Sequence, residues 1–154
     1  MPRTLLIVAH APSPNTQRLL EALAAGAAHP DLDGVTVVRK AAFDATPDDI
    51  RACDAILLFT PENLGYMSGA LKDFFDRCYY PVLEEKQGLP CRIVIRAGHD
   101  GTGTRRALDT ILTGLRWKQV GEPLVLRGEW REDFVALAEE AGMALAAGLD
   151  AGIF

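Results

Sequence analysis

AILLFTPENLGYMSGALKDFFDRCYY, residues 55–80, decides how the rest of this chain is read. It has three parts: an apolar run at residues 55–59, a turn-rich segment at 60–69, and an amphipathic segment at 71–82. The apolar run is continuous, and continuous apolar residues suit a strand covered on both faces. In the last part Leu71, Phe74, Phe75, Cys78, Tyr79 and Val82 recur at helical spacing, and Ser68 stands where an N-cap belongs. The middle part joins a buried strand to a packed helix. In open α/β sheets that junction, at the carboxyl end of the strand, is where ligands bind.

Outward from this stretch the same alternation repeats. Residues 5–9 (LLIVA) read as a first strand, and Pro12 and Pro14 delay the helix behind it until Asn15 or Thr16 can cap it. Leu19, Leu20, Leu23 and Ala27 give that helix a buried stripe. Residues 35–38 form a second strand, and Thr46-Pro47-Asp48-Asp49 starts a short helix with a cap, a proline at the first position and early acids. Beyond the opening stretch, residues 92–97 (RIVIRA) form a fourth strand and Gly98-His99-Asp100-Gly101-Thr102-Gly103 a glycine-rich loop. A helix with Leu108, Ile111, Leu112 and Leu115, a short strand at 124–126 and a last helix from Trp130 complete the order. Strands and helices in strict alternation imply a parallel sheet with right-handed crossovers and helices on both faces. With no linker or repeat, residues 1–154 make one domain.

Composition excludes several function classes. A net charge of −5 argues against general nucleic-acid or membrane-surface binding, and no apolar run approaches a membrane span. Cys53, Cys78 and Cys91 are odd in number and lack CxxC spacing. They indicate neither a disulfide framework nor a metal site, and read as buried structural thiols of a cytoplasmic protein.

A dinucleotide fold would carry G-x-G-x-x-G after its first strand, and here that turn has no glycine. The other doubly wound arrangement, flavodoxin-like with strand order 2-1-3-4-5, binds a mononucleotide where the loops after strands one, three and four converge. Those are the three loops of unusual composition. Ser13, Asn15 and Thr16 offer hydroxyls, an amide and a helix start to an anion, with no lysine, and His10 stands beside them. Pro61, Glu62, Asn63, Leu64, Gly65, Tyr66 and Met67 offer an aromatic and apolar wall with close backbone approach. Ala97, Gly98, His99, Gly101 and Thr102 form the third loop, and Arg105-Arg106 behind it could attract the phosphates of a second nucleotide.

The motif TPEN-x-GYMSG-x-LK-x-FFDR resembles the second flavin loop and following helix of flavodoxin-like NAD(P)H-dependent FMN reductases and quinone reductases. The likeness covers nearly the whole chain in element order. It implies FMN phosphate on Ser13, Asn15 and Thr16, with the ring against residues 61–67 and residues 97–102 along its other side. It also implies hydride uptake from NAD(P)H and delivery of electrons to a quinone, flavin or other small acceptor. The cofactor then supplies the chemistry, so no catalytic side chain is required, though His99 and Tyr66 could assist. An electron-carrier flavodoxin and a cofactor-free binding domain are the alternative readings. By analogy the protein is a homodimer, with Met67 and Tyr79-Tyr80 as contacts.

Overall fold

Buried along nearly its whole length, β3 (Ala55–Asn63) runs through the middle of a sheet described by a computed structural model of residues 2–154. β1 (Arg3–Ala9) flanks it on one side and β5 (Pro90–Ala97) on the other, both parallel to it. β2 (Val35–Ala41) forms one edge beside β1. The opposite edge is shared by β6 (Lys118–Gln119) and β7 (Leu124–Arg127), each paired in parallel with β5. The fold is therefore α/β and flavodoxin-like: the parallel positions run β2, β1, β3, β5 and then the shared β6/β7 edge, which is the 2-1-3-4-5 order expected once the first turn lacked a dinucleotide motif. Register sets the carboxyl ends level: Ala9 lies opposite Phe59, Pro61 opposite Arg96, and Ala97 opposite Arg127.

The sheet divides two cores. Ile56 and Leu58 face α2 (Pro47–Ala52), α3 (Gly69–Val82) and α4 (Thr102–Leu115), where Phe74, Phe75, Leu108 and Leu112 are buried. Leu57 and Phe59 face α1 (Pro14–Ala27) and α5 (Asp133–Asp150), where Leu19, Leu23, Phe134 and Leu145 are buried. This two-sided cover is the reason residues 55–59 are continuously apolar, each full burial being worth roughly 1.5–3 kcal/mol. α1 and α5 cross through glycines. A Cβ on Gly26 would drive into the Glu139 carbonyl, and one on Gly142 into the Leu23 carbonyl.

Several boundaries differ from the sequence reading. Ser13, not Asn15 or Thr16, caps α1: its Oγ accepts the Thr16 N–H at 3.2 Å, and Pro14 takes the first helical position, where a missing N–H costs nothing. Residues 60–69 are not merely a loop. β3 continues to Asn63 and pairs antiparallel with β4 (Tyr66–Met67), closing a hairpin at Leu64-Gly65, both with positive φ (54° and 73°). β2 extends past residue 38 to Ala41, and α5 begins at Asp133 instead of Trp130. The edge pairing at Lys118–Gln119 has no apolar signature and was missed. Ser68 does cap α3, accepting the Leu71 N–H at 3.2 Å, and Thr46 caps α2 through a reciprocal bond with Asp49. All three cysteines are buried and unpaired, and burial pushes Cys53 and Cys91 up to about 12. Among the described residues no helix is long and apolar enough to cross a membrane, and no group of His, Cys, Asp and Glu could hold a metal ion.

Candidate functional site

Three loops leave the level carboxyl ends of β1, β3 and β5. The first, residues 10–13, is tied down where the His10 N–H donates to the Phe59 carbonyl at 3.1 Å. Ser13 and Thr16 lock together behind it. The Ser13 N–H donates to Thr16 Oγ1 at 2.9 Å, the two hydroxyls lie 2.8 Å apart, and Thr16 Oγ1 donates to the Ser13 carbonyl at 3.0 Å. Since Thr16 spends its proton on that carbonyl, the Ser13 proton is the one a ligand can redirect. Pro12 and Pro14 carry no N–H. The Asn15 N–H, among the first four of the helix, points to no intrahelical carbonyl, and Asn15 is exposed. The donors left open at this helix start are thus the Ser13 hydroxyl and the Asn15 N–H and amide, at the positive end of α1. Thr16 is buried and mainly braces Ser13.

The second loop is the hairpin. Its base is fastened inside the protein: the Ser68 N–H donates to Thr60 Oγ1 at 3.0 Å, and Thr60 Oγ1 lies 3.1 Å from Ser68 Oγ. Pro61 is buried, and Met67 is 2% exposed within the core beside α3 and α4. Met67 is therefore not available as a contact between copies of the chain. Tyr66 is partly exposed and Leu64, at the tip, is fully exposed. Tyr80 is exposed on α3.

The third loop, residues 98–101, is held from two sides. Glu62 reaches across from the hairpin: one carboxylate oxygen accepts the His99 N–H at 3.1 Å and the other the Gly101 N–H at 2.9 Å. On the outer side the Gly128 N–H donates to the Ala97 carbonyl and Arg127 Nε to the Asp100 carbonyl, each at 2.9 Å. Gly101 has φ 70°, and a Cβ there would stand 2.8 Å from Val125 Cγ1, so both conformation and space require glycine. The Asp100 carboxylate accepts the Thr102 N–H at 3.0 Å, and that bond holds its pKa below the ordinary range. Gly103, in the first turn of α4, packs against the Gly65 carbonyl so closely that a Cβ would overlap it. Hairpin and third loop are thereby bolted into one unit.

Of the residues picked from sequence, Glu62, His99, Gly101 and, through Gly103, Gly65 are brought into direct linkage. Ala97 is buried at the end of β5, while Asn63, Gly98 and Thr102 are exposed around the unit. His10 lies at the other end of the row, its ring 6.3 Å from that of the exposed Phe43. Arg105 is paired with Glu122 at 2.9 Å, so its charge is already answered, while Arg106 stays exposed. A cavity of about 1010 Å³ lies along α1 beside His10, Ala11 and Pro14 and includes no residue of the hairpin or third loop. It is a surface groove lined by alanines and larger aliphatic side chains together with charged ones such as Arg18, Glu21, Arg39 and Lys40.

Sequence reading missed a cluster behind the first loop. Arg18 makes a two-pronged pair with Glu132 (3.0 and 2.6 Å), Trp130 Nε1 donates to the same carboxylate at 2.8 Å, and the Arg96 guanidinium lies over the Phe134 ring at 5.1 Å. The Arg18 and Trp130 bonds hold Glu132 down to about 2. Only the arginine and tryptophan identities hint at it, because its members lie 114 residues apart.

The family of NADPH-dependent FMN reductases matches this chain over residues 27–132. The chain belongs to that family. The matched region contains the hairpin and third loop but starts beyond the first. A flavodoxin of Aquifex aeolicus is 30% identical over 111 residues, 72% of this chain and 59% of that relative's length. Among solved structures, an archaeal flavodoxin is similar with TM-score 0.79 at 16% identity, covering 95% of this chain and 98% of its own. A WrbA-like flavodoxin of Agrobacterium tumefaciens gives 0.72 at 19% identity (97% and 98% covered). The apo form of an NADH:FMN oxidoreductase gives 0.70 at 17% identity (95% and 89% covered). At such identities these structures speak for the fold. The FMN reductase family model supplies the coarser statement of function: this chain is a member of an FMN-binding, flavodoxin-like oxidoreductase family.

Proposed function

We propose that the protein is an FMN-dependent oxidoreductase that takes hydride from NAD(P)H and passes electrons to a small acceptor such as a quinone or free flavin. The observation that carries this is the hairpin and third loop joined by Glu62 over the ends of β3 and β5, with the start of α1 and its oxygen and amide groups after the neighbouring strand β1. The donor set suits the cofactor: Ser13, Asn15 and the start of α1 take its phosphate by hydrogen bonding and helix field, without a lysine. His10 borders that subsite. The backbone of residues 61–67 borders one side of the ring, with Tyr66 and Leu64 as its exposed apolar rim while the Met67 side chain stays in the core, and residues 97–102 border the other. When bound, FMN supplies the capacity to accept hydride and release electrons, which no side chain here has. The chain's own part is to bind, orient and limit water. His99 and Tyr66 are the polar groups placed to meet an acceptor. The protein works as a homodimer, and its three unpaired thiols suit a reducing, cytoplasmic compartment.

The test is the visible spectrum of the purified protein, followed by anaerobic addition of NADPH or NADH. Flavin absorbance that bleaches with pyridine nucleotide is expected. A colourless protein that takes up no added FMN sinks the reading. The similarity to the Aquifex flavodoxin favours one other role, an electron carrier reduced by a partner protein. Bound flavin that ignores both pyridine nucleotides would select it.

A further inference from the structure

Glu62 does something that neither a ring contact nor a turn-stabilising residue would do. It sits on the hairpin arm opposite Met67, yet its carboxylate spans to the third loop and takes the N–H groups of His99 and Gly101. The loop has few other restraints. Gly98, His99 and Asp100 are exposed, and the remaining ties are the Asp100 bonds to Thr102 and Arg127 and, at the end that enters α4, the Arg105 N–H donated to the Gly101 carbonyl. A loop that rich in glycine loses much conformational freedom on being fixed, so a charge-assisted pair of bonds at its centre governs where it stands. The reach of one glutamate side chain, together with the Gly65–Gly103 contact, also sets the spacing between hairpin and loop.

We propose that Glu62 is a positioning residue: an internal anion that occupies the His99 and Gly101 donors and holds the third loop in its ligand-ready form before any flavin arrives. The edge of a bound ring then meets the donors that Glu62 leaves free, the N–H groups of Gly98 and Asp100. A fixed negative charge also stands beside the ring and opposes adding electrons to it. The loop-holding part is a property of the apoprotein, while the part concerning the ring rests on the flavin reading above.

The experiment compares wild type, Glu62→Gln and Glu62→Ala as full-length proteins. In the flavin-free state, Gly101 amide exchange should quicken at least about tenfold in Glu62→Ala, the scale of losing a charge-assisted bond, with Ile95 in β5 unchanged as a control for folding. Glu62→Gln, with one acceptor oxygen left, should fall between. With FMN added, Glu62→Ala should weaken binding about tenfold, an ordinary consequence of losing pre-organisation. Glu62→Gln should bind within a few-fold of wild type with a more positive midpoint potential, which a merely structural residue would not produce. Unchanged Gly101 exchange in Glu62→Ala overturns the proposal. So does tighter FMN binding by that variant, which would make Glu62 a competitor of the ring. If Gly101 exchange responds as expected but wild type takes up no FMN, the loop-holding role stands and the flavin reading is what fails.

Discussion

Replacing Gly103 by alanine sets two calculable effects against each other. Gly103 lies inside α4, and alanine there gains up to about 1 kcal/mol of helix propensity, less in a first turn. Against this, the new methyl would enter the space of the Gly65 carbonyl, a backbone atom, and must be relieved by roughly an ångström to reach the 3.0 Å that real Cβ contacts respect. Overpacking of that kind costs about 1–3 kcal/mol. The net expectation is a loss of about 0.5–2 kcal/mol, seen as a melting temperature lower by roughly 2–6 °C for a domain of this size. The hairpin gives way first, because its tip has little else to hold it. Glu62 moves with it, so Gly101 amide protection falls more than that of the central strands. Differential scanning calorimetry and amide exchange on the same sample measure both quantities. A Gly103→Ala protein as stable as wild type or more so, with Gly101 equally protected, would refute the claim that hairpin and helix are in fixed contact.

Three further outcomes are expected. Gly142→Ala, pressed into the Leu23 carbonyl, should lower unfolding free energy by about 1–3 kcal/mol in denaturant titrations, despite the helical preference of alanine. Cys53 and Cys91, pushed up to about 12 by burial, should resist iodoacetamide at mildly alkaline pH in the native protein and react once it is unfolded. Glu132 is held near 2 against an ordinary 4.5, so its contribution is fully present above 4.5 and fades as pH falls from there towards 2. The stabilities of wild type and Glu132→Gln should accordingly differ at neutral pH and converge in acid, and a carboxyl titration near 4.5 by NMR would contradict the Arg18 link.

The sheet was legible because burial on both faces leaves an unmistakable mark. Residues 55–59 and 92–97 are apolar or nearly so without alternation, and the cap residues Thr46 and Ser68 announce their helices locally. What escaped was non-local or conformational. Pro14 read as a helix breaker, although at the first helical position it forfeits nothing. The hairpin closes on Leu64, whose positive φ is the last thing a leucine advertises. Tyr66 and Met67 read alike as parts of an apolar wall, but in an antiparallel arm neighbouring side chains point to opposite faces, and Met67 faces the core while Tyr66 is exposed. Composition singled out three loops, and the register of β1, β3 and β5 sets them side by side at one end of the sheet. The link that joins two of them, from Glu62 to residues 99 and 101, spans 37 and 39 positions and leaves no trace in spacing.

The glycine crossing of α1 and α5 has a consequence for synthesis. The helix whose start forms the first loop is made early, yet one of its sides has nothing to rest on until residues 133–150 arrive, more than a hundred residues later. The Arg18–Glu132 pair closes at the same moment. A nascent chain emerging from the ribosome therefore has the residues of its hairpin and third loop before it has a braced start of α1. On the flavin reading proposed above, the last helix times the assembly of the pocket, and cofactor capture becomes a report that the chain has been completed to at least that helix.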